Sequence, residues 1–224
     1  MTARKTAVER VLVLRTCNAD MTSHGGFKWP TSGAVTASDW QPTAECGNGL
    51  HGFLWGEGDG SLASWEPNAK WLVVSVAASD VVNLGGKVKF RAGRVVYCGD
   101  RLGATSYIAK RAPGRAIIGG VATAGDYGTA TAGDGGTATA GYRGTATAGD
   151  GGTATAGNYG TATAGYGGTA TAGDGGTATA GDGGTLVLRW HVVARYRLAV
   201  FYVGDDGIEP NVAYRYENGK AVRA

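Results

Sequence analysis

Residues 121–184 read VATAGDYG TATAGDGG TATAGYRG TATAGDGG TATAGNYG TATAGYGG TATAGDGG TATAGDGG. Thr129, Thr137, Thr145, Thr153, Thr161, Thr169, Thr177 and Thr185 recur every eight residues, and Thr131, Thr139, Thr147, Thr155, Thr163, Thr171 and Thr179 follow two later. Within each unit T-A-T-A alternates with period two, the period of a strand. Threonine is β-branched and suits a strand, and the G-D-G or G-Y-R step suits a turn. Each unit therefore reads as one short strand and one tight corner.

A longer period lies beneath the first. Two places after the turn glycine, alternate units carry Gly135, Gly151, Gly167 and Gly183, while the others carry Tyr127, Arg143, Tyr159 and Gly175. This sorting predicts a sixteen-residue coil with two strands and two unlike corners. Four coils follow, stacking to about 19 Å at roughly 4.8 Å per strand. The interior of so flat a coil is thin, so alanine belongs inside and threonine outside; the reverse would bury hydroxyls without partners. The outward columns include Thr129, Thr131, Thr137, Thr139, Thr145, Thr147, Thr153 and Thr155. Alanine buries little surface, so the stack rests on backbone ladders and on caps, with Ile117 and Ile118 before it and Leu186, Val187 and Leu188 after it. At one corner, Tyr127, Arg143 and Tyr159 form a column in which the guanidinium is expected to stack on both rings. The neighbouring column, Asp126, Tyr142, Asn158 and Asp174, is mixed.

The block GTATAGDGGTATAGYR (128–143) resembles the sixteen-residue repeats of bacterial ice-nucleation proteins, with their T-x-T strands and A-G-Y-G or A-G-D corners. That resemblance implies a β-solenoid with outward T-x-T rows and an ability to order water. A second resemblance spans more of the chain: NADMTSHGGFKW (18–29), ECGNGLHGFLWG (45–56), GDGGTLVLRW (181–190) and VGDDGIEPNVAYRYENGKAV (203–222). This order is similar to a group of uncharacterised phage and prophage proteins with a small N-terminal domain, tandem glycine-rich repeats and a β-strand cap. Cys46, Gly49, Leu50 and His51 match the group's C-x-x-G-[LF]-H step. Gly207, Ile208, Pro210, Tyr214, Asn218, Gly219 and Lys220 match its terminal pattern. Phe53 and Leu54 stand where related heads carry a further cysteine.

Composition bounds the rest. Of 41 glycines, 21 fall in the repeat. Five prolines and no G-X-Y period exclude collagen. With 43% hydrophobic residues and six tryptophans the chain does not read as disordered. A formal charge of +3 gives no strong nucleic-acid signal, and no apolar run is long enough to span a membrane. The N-terminus, MTARKTAVERVLVLRT, lacks the apolar core and cleavage site of a leader. Three cysteines give no disulfide framework. The expected location is the cytoplasm of a bacterial host.

The predicted organisation is mostly β: a β-rich or α+β head (1–112), a β-solenoid (113–184) and a C-terminal β-meander cap (185–224). In the head, 9–17 and 71–77 read as strands, 87–91 and 94–98 as a hairpin turning at Ala92-Gly93, and Ser61–Trp65 as a short helix. In the cap, 185–193 and 195–203 read as strands. Asp205-Asp206-Gly207 and Asn218-Gly219 read as turns, and Trp190, Phe201 and Tyr202 as a cover for the open end of the solenoid. Such an apolar cap is also an expected homo-oligomer interface.

Cys17, Cys46, His51 and Cys98 are the weak candidates for a metal, because their spacing lacks the tight pairing of zinc sites; no metal and no cofactor is expected. The octapeptide lacks the nine-residue calcium β-roll pattern and any phosphate-binding loop. The step G-L-H-G-F-L-W before the strand with Trp71, Val73 and Val74 faintly resembles small ADP-ribosyltransferase-like domains, with Glu57 and Glu66 as candidate acids that have no positioned partner. The leading expectation is a non-enzymatic structural or interaction protein of phage type with an unknown protein partner. The alternatives are ice or water binding through the Thr-x-Thr arrays, and transferase activity in the head.

Overall fold

The computed structural model describes residues 8–224. The chain divides into two compact units, one ending at Pro113 and one spanning Gly114–Ala224. Most of the regular structure is strand.

The first unit is built on β1 (Arg10–Cys17), β2 (Gly33–Thr36), β3 (Leu50–Leu54), β4 (Lys70–Ala77), β5 (Val81–Asn83), β6 (Val88–Phe90), β7 (Ala92–Gly99) and α1 (Arg101–Ala109). The strands form one antiparallel sheet in the order β2-β7-β4-β1-β3-β6-β5. Its centre is the eight-residue pairing of β1 with β4, from Arg10 opposite Ala77 to Cys17 opposite Lys70. Val13, Leu72, Val74, Val76 and Phe90 are buried together on one side.

Two expectations fail here. The segments 87–91 and 94–98 do not form a hairpin: β6 pairs with β3 and β5, whereas β7 pairs with β4 and β2. Gly93 lies inside β7, paired with Val76 and Val35, rather than at a turn. A Cβ there would lie 2.6 Å from Val74 Cγ1 and 3.0 Å from the Ser75 carbonyl, so glycine lets β7 lie close beside β4. The helix near residue 61 is only a three-residue 3-10 turn, Gly60–Leu62. The true helix, α1, went unread. Asp100 caps it by accepting the Gly103 N–H at 2.7 Å, and it buries Ala104, Thr105 and Ile108.

In the second unit, eight strands carry the repeat: β8 (Val121–Ala124), β9 (Thr129–Thr131), β10 (Thr137–Ala140), β11 (Thr145–Ala148), β12 (Thr153–Ala156), β13 (Thr161–Ala164), β14 (Thr169–Ala172) and β15 (Thr177–Ala180). Odd and even strands separate into two parallel sheets. Thr137 pairs with Thr153 and Ala138 with Ala154, a sixteen-residue step that holds throughout the stack. The alanines form the interior: Ala138, Ala146, Ala154, Ala162, Ala170 and Ala178 are fully buried. The β-solenoid of about four coils is therefore as the repeat predicts.

The cap comprises β16 (Thr185–Val192), β17 (Arg195–Tyr202), β18 (Tyr214–Glu217) and β19 (Lys220–Arg223). β16 continues the stack in parallel on β14 and then turns back as β17. β18 closes the other sheet antiparallel to β15, and Asn218-Gly219 turns it into β19. Leu186 and Leu188 replace alanine in the interior, and Val203, Ile208 and Tyr214 complete the closure. Phe201 packs against this core and Trp190 stacks on Tyr216 at 3.8 Å. Tyr202 does not help to cover the end; it is 57% exposed on the outer face. Alternation explains this, since Tyr202 stands opposite Thr185, whose side points outward.

Candidate functional site: threonine faces and stacked corners

Parallel pairing in register turns a repeated sequence into a grid. One face carries Thr137, Thr153 and Thr169 in one column and Thr139, Thr155 and Thr171 in the next. The other carries Thr129, Thr145, Thr161 and Thr177 beside Thr131, Thr147, Thr163 and Thr179. The grid spacing is about 4.8 Å between strands and about 6.6 Å along a strand. All these threonines are exposed or half-buried, while the alanines between them are buried. Each grid point therefore offers one hydroxyl and one methyl to solvent.

Regularity depends on how the corners stack. At the corners from Tyr127 to Gly167 the N–H of the left-handed residue donates to a carbonyl of the next coil, as from Tyr127 to Tyr142 at 2.8 Å and from Gly135 to Asp150 at 2.7 Å. A second ladder runs through side chains. Asp126 Oδ1 accepts the Tyr142 N–H at 2.8 Å, Asp134 the Asp150 N–H at 3.0 Å, Asp150 the Tyr166 N–H at 2.8 Å and Asn158 the Asp174 N–H at 3.1 Å. In the column read as mixed, Asp126 and Asn158 thus act as acceptors that bind the next coil, and Asp134 and Asp150 do the same in the column of the other corner. The acidic or amide residue right after the turn glycine was the signal in the sequence. Asn158 also accepts from Arg189 at 2.7 Å, which ties the cap to the ladder.

The two corners are more alike than expected. Tyr127, Arg143 and Tyr159 have φ of 58°, 51° and 57°, and Gly135, Gly151 and Gly167 have 59°, 61° and 60°. Both corners use the same left-handed backbone conformation, and a Cβ at Gly151 or Gly167 would meet nothing within 4 Å. Nothing in the structure explains why one column is always glycine. The coil length is set instead by strand register.

The bulky corner is an aromatic patch. Tyr142 interleaves with the column: its ring lies 5.7 Å from Tyr127 and 5.8 Å from Tyr159, edge-on to both. Arg143 lies over Tyr142 and Tyr159, at 5.4 and 5.8 Å, rather than between Tyr127 and Tyr159. The reason is that Tyr142, one residue earlier on the same corner, fills the gap. Tyr127 and Tyr159 are well exposed.

In the head, an open cleft of about 630 Å³ is lined by Arg15, Trp29, Cys46, His51 and Lys87 among others. The Arg15 guanidinium lies 5.6 Å from the Trp29 ring. Lys89, fully buried, donates to the Glu45 carbonyl at 2.8 Å and so anchors the loop that bears Cys46. His51 Nε2 accepts the Gly47 N–H at 3.4 Å. Burial, with Lys87, Arg15 and Lys89 nearby, depresses the His51 pKa to about 4, so the imidazole is neutral. Burial pushes the Cys17 thiol up to about 11. Cys98 is half-buried with its Sγ 3.8 Å from Met21 Sδ, and Cys46 is exposed. Among the described residues no three His, Cys, Asp or Glu side chains gather as a metal site. Neither Glu57 nor Glu66 lines the cleft.

Residues 11–110 match a family model described as a domain of unknown function, DUF7666. Separately, 106 residues, 46% of the chain, are 42% identical to an ice nucleation protein of Pseudomonas syringae, of which they span 9%. Over 102 residues the chain is 44% identical to an ice nucleation protein of Pseudomonas fluorescens, covering 45% of the chain and 8% of that protein. Over 108 residues it is 40% identical to one of Xanthomonas campestris pv. translucens, covering 47% and 7%. The chain therefore spans less than a tenth of the length of these relatives. No solved structure matches it. Among the described residues no helix is long and apolar enough to cross a membrane.

Proposed function

We propose that the second unit binds ice or ordered water through its Thr-x-Thr faces, as a structural protein without catalytic chemistry. The observation that carries this reading is the in-register stacking of Thr137 on Thr153 and Thr145 on Thr161, with buried alanines between the rows. A hydroxyl in water is solvated wherever it points, so a scattered set of threonines gives water no template. A rigid grid holds its hydroxyls and methyls at fixed spacing, and so offers water a repeating pattern before any water is ordered. The cost of organising the surface is met in folding, the general advantage of preorganisation. The names of the relatives support the same reading.

Size separates binding from seeding. Four coils give a face about 19 Å long at roughly 4.8 Å per strand. Such a face can adsorb to existing ice and slow its growth, whereas seeding a crystal requires a larger template. The test is thermal hysteresis and recrystallisation of ice with the wild type and with Thr147→Lys, which replaces a grid point by a long charged chain. Activity in the wild type and its reduction in the variant, which alters one of the two faces, support the reading.

A second reading, a phage-type interaction protein acting in a host cell, is favoured by the exposed Tyr127, Tyr142, Arg143 and Tyr159 patch. Tyrosine and arginine are the residues that dominate protein interfaces. Retention of a host protein by the wild type and its loss with Tyr159→Ala and Arg143→Ala would support it.

A further inference from the structure

We propose that β17 is the contact strand of a symmetric dimer, in which two copies join edge to edge across a two-fold axis at Ala199. β17 is the terminal strand of its sheet, so one side of its backbone has no neighbour in the sheet. The Val203 N–H donates to the Gly184 carbonyl, and Val192 faces Arg195 across the two-residue turn Val193-Ala194. Odd-numbered residues therefore bond to β16, and Tyr196, Leu198, Val200 and Tyr202 present N–H and C=O groups along the free edge.

The same four residues are the strand's exposed large apolar ones: 51%, 63%, 50% and 57%. An eight-residue edge with four large apolar side chains on one face is a template for another strand. The edge of the companion sheet is built differently. β19 has four residues, begins with Lys220 and ends with Arg223, which pairs with Glu209. Charge and shortness blunt that edge; β17 is twice as long, and although Arg195 and Arg197 are exposed, its outward positions 196, 198, 200 and 202 carry no charge.

The occupant follows from the pattern. Residues 196–202 read Tyr-Arg-Leu-Ala-Val-Phe-Tyr, whose outward positions mirror each other about Ala199, Tyr196 with Tyr202 and Leu198 with Val200. Antiparallel pairing about Ala199 sets Tyr196 opposite Tyr202, Leu198 opposite Val200 and Arg197 opposite Phe201. Every exposed apolar residue then meets another, no arginine faces an arginine, and the free N–H and C=O groups are the ones that align. An isologous interface requires such self-complementarity. The two sheets would become one continuous sheet with a threonine array on either side of an apolar centre. The dimer does not depend on water binding.

The test is sedimentation equilibrium of the full chain, with amide hydrogen exchange at Leu198 and Val200. The wild type is expected to run at twice its 22.7 kDa mass with slow exchange at both amides. Leu198→Lys with Val200→Lys places four like charges at the axis and should weaken the dimer about thirtyfold or more. Leu198→Ile should retain it. Because these positions are already exposed, circular dichroism should be unchanged in all variants. A monomeric wild type with fast exchange at Leu198 and Val200, or a dimer indifferent to the double lysine variant, overturns the proposal.

Discussion

The Asp134 carboxylate accepts the backbone N–H of Asp150, sixteen residues on, at 3.0 Å. Asp150 does the same for Tyr166 at 2.8 Å. One coil therefore grips the next through a side chain as well as through the strands. Asp150→Ala should lower stability by about 1 kcal/mol, the usual net value of one hydrogen bond at a solvated site. Asp150→Asn should cost little, since Asn158 already serves as a rung. Urea denaturation of the three proteins compares them directly.

Adjacent glycines at a corner should differ in their tolerance of a methyl group. At Gly152 an added Cβ would lie 2.8 Å from Ala148 Cβ and 2.9 Å from the Gly149 carbonyl, whereas at Gly151 it would meet nothing within 4 Å. Gly151→Ala then carries only the cost of a left-handed residue at φ 61°, about 1 kcal/mol. Gly152→Ala crowds its own corner and the Gly136 carbonyl of the neighbouring coil, 3.0 Å from the added Cβ, and should cost clearly more. Thermal melts of the two variants read the difference.

How much of this was legible follows from where the signal sits. The Thr/Ala alternation and its sixteen-residue register are local and repeated, so eight copies gave the solenoid and its two faces. The head has no such redundancy. Lys87–Arg91 and Arg94–Cys98 look like a hairpin because Ala92-Gly93 looks like a turn, yet the glycine answers to Val74 on a distant strand. α1 is weakly amphipathic and contains Gly103, so only Asp100 at its cap marked it. At the corners the sequence showed which residues recur but not that Tyr142 would slip between Tyr127 and Tyr159. Tyr202 was misread because its outward side follows from its pairing with Thr185.

His51 predicts the acid behaviour of the head. Its pKa falls from about 6.5 in the unfolded chain to about 4 in the folded one. The unfolded state thus binds more protons between those values, and stability must rise with pH through that window. Below pH 6.5 the head should lose stability progressively until about pH 4. His51→Gln should flatten this dependence in urea midpoints measured from pH 4 to 7.

The thiols should react in a fixed order. Cys46 is exposed, Cys98 half-buried and Cys17 buried, with the Cys17 pKa pushed to about 11. The thiolate is the reactive form, so a thiol reagent at pH 7.5 should label Cys46 first and Cys17 only on unfolding. Mass mapping of the labelled peptides reads the order.

The threonine grid is the centre of the account, and partition into slowly grown ice measures it most directly. Wild-type protein should be enriched in the ice fraction, while a variant with lysines on both faces, Thr147→Lys and Thr163→Lys on one and Thr139→Lys and Thr155→Lys on the other, should be excluded with the fold intact by circular dichroism. Exclusion of the folded wild type from ice, or equal enrichment of wild type and a variant carrying lysines on both faces, would contradict it.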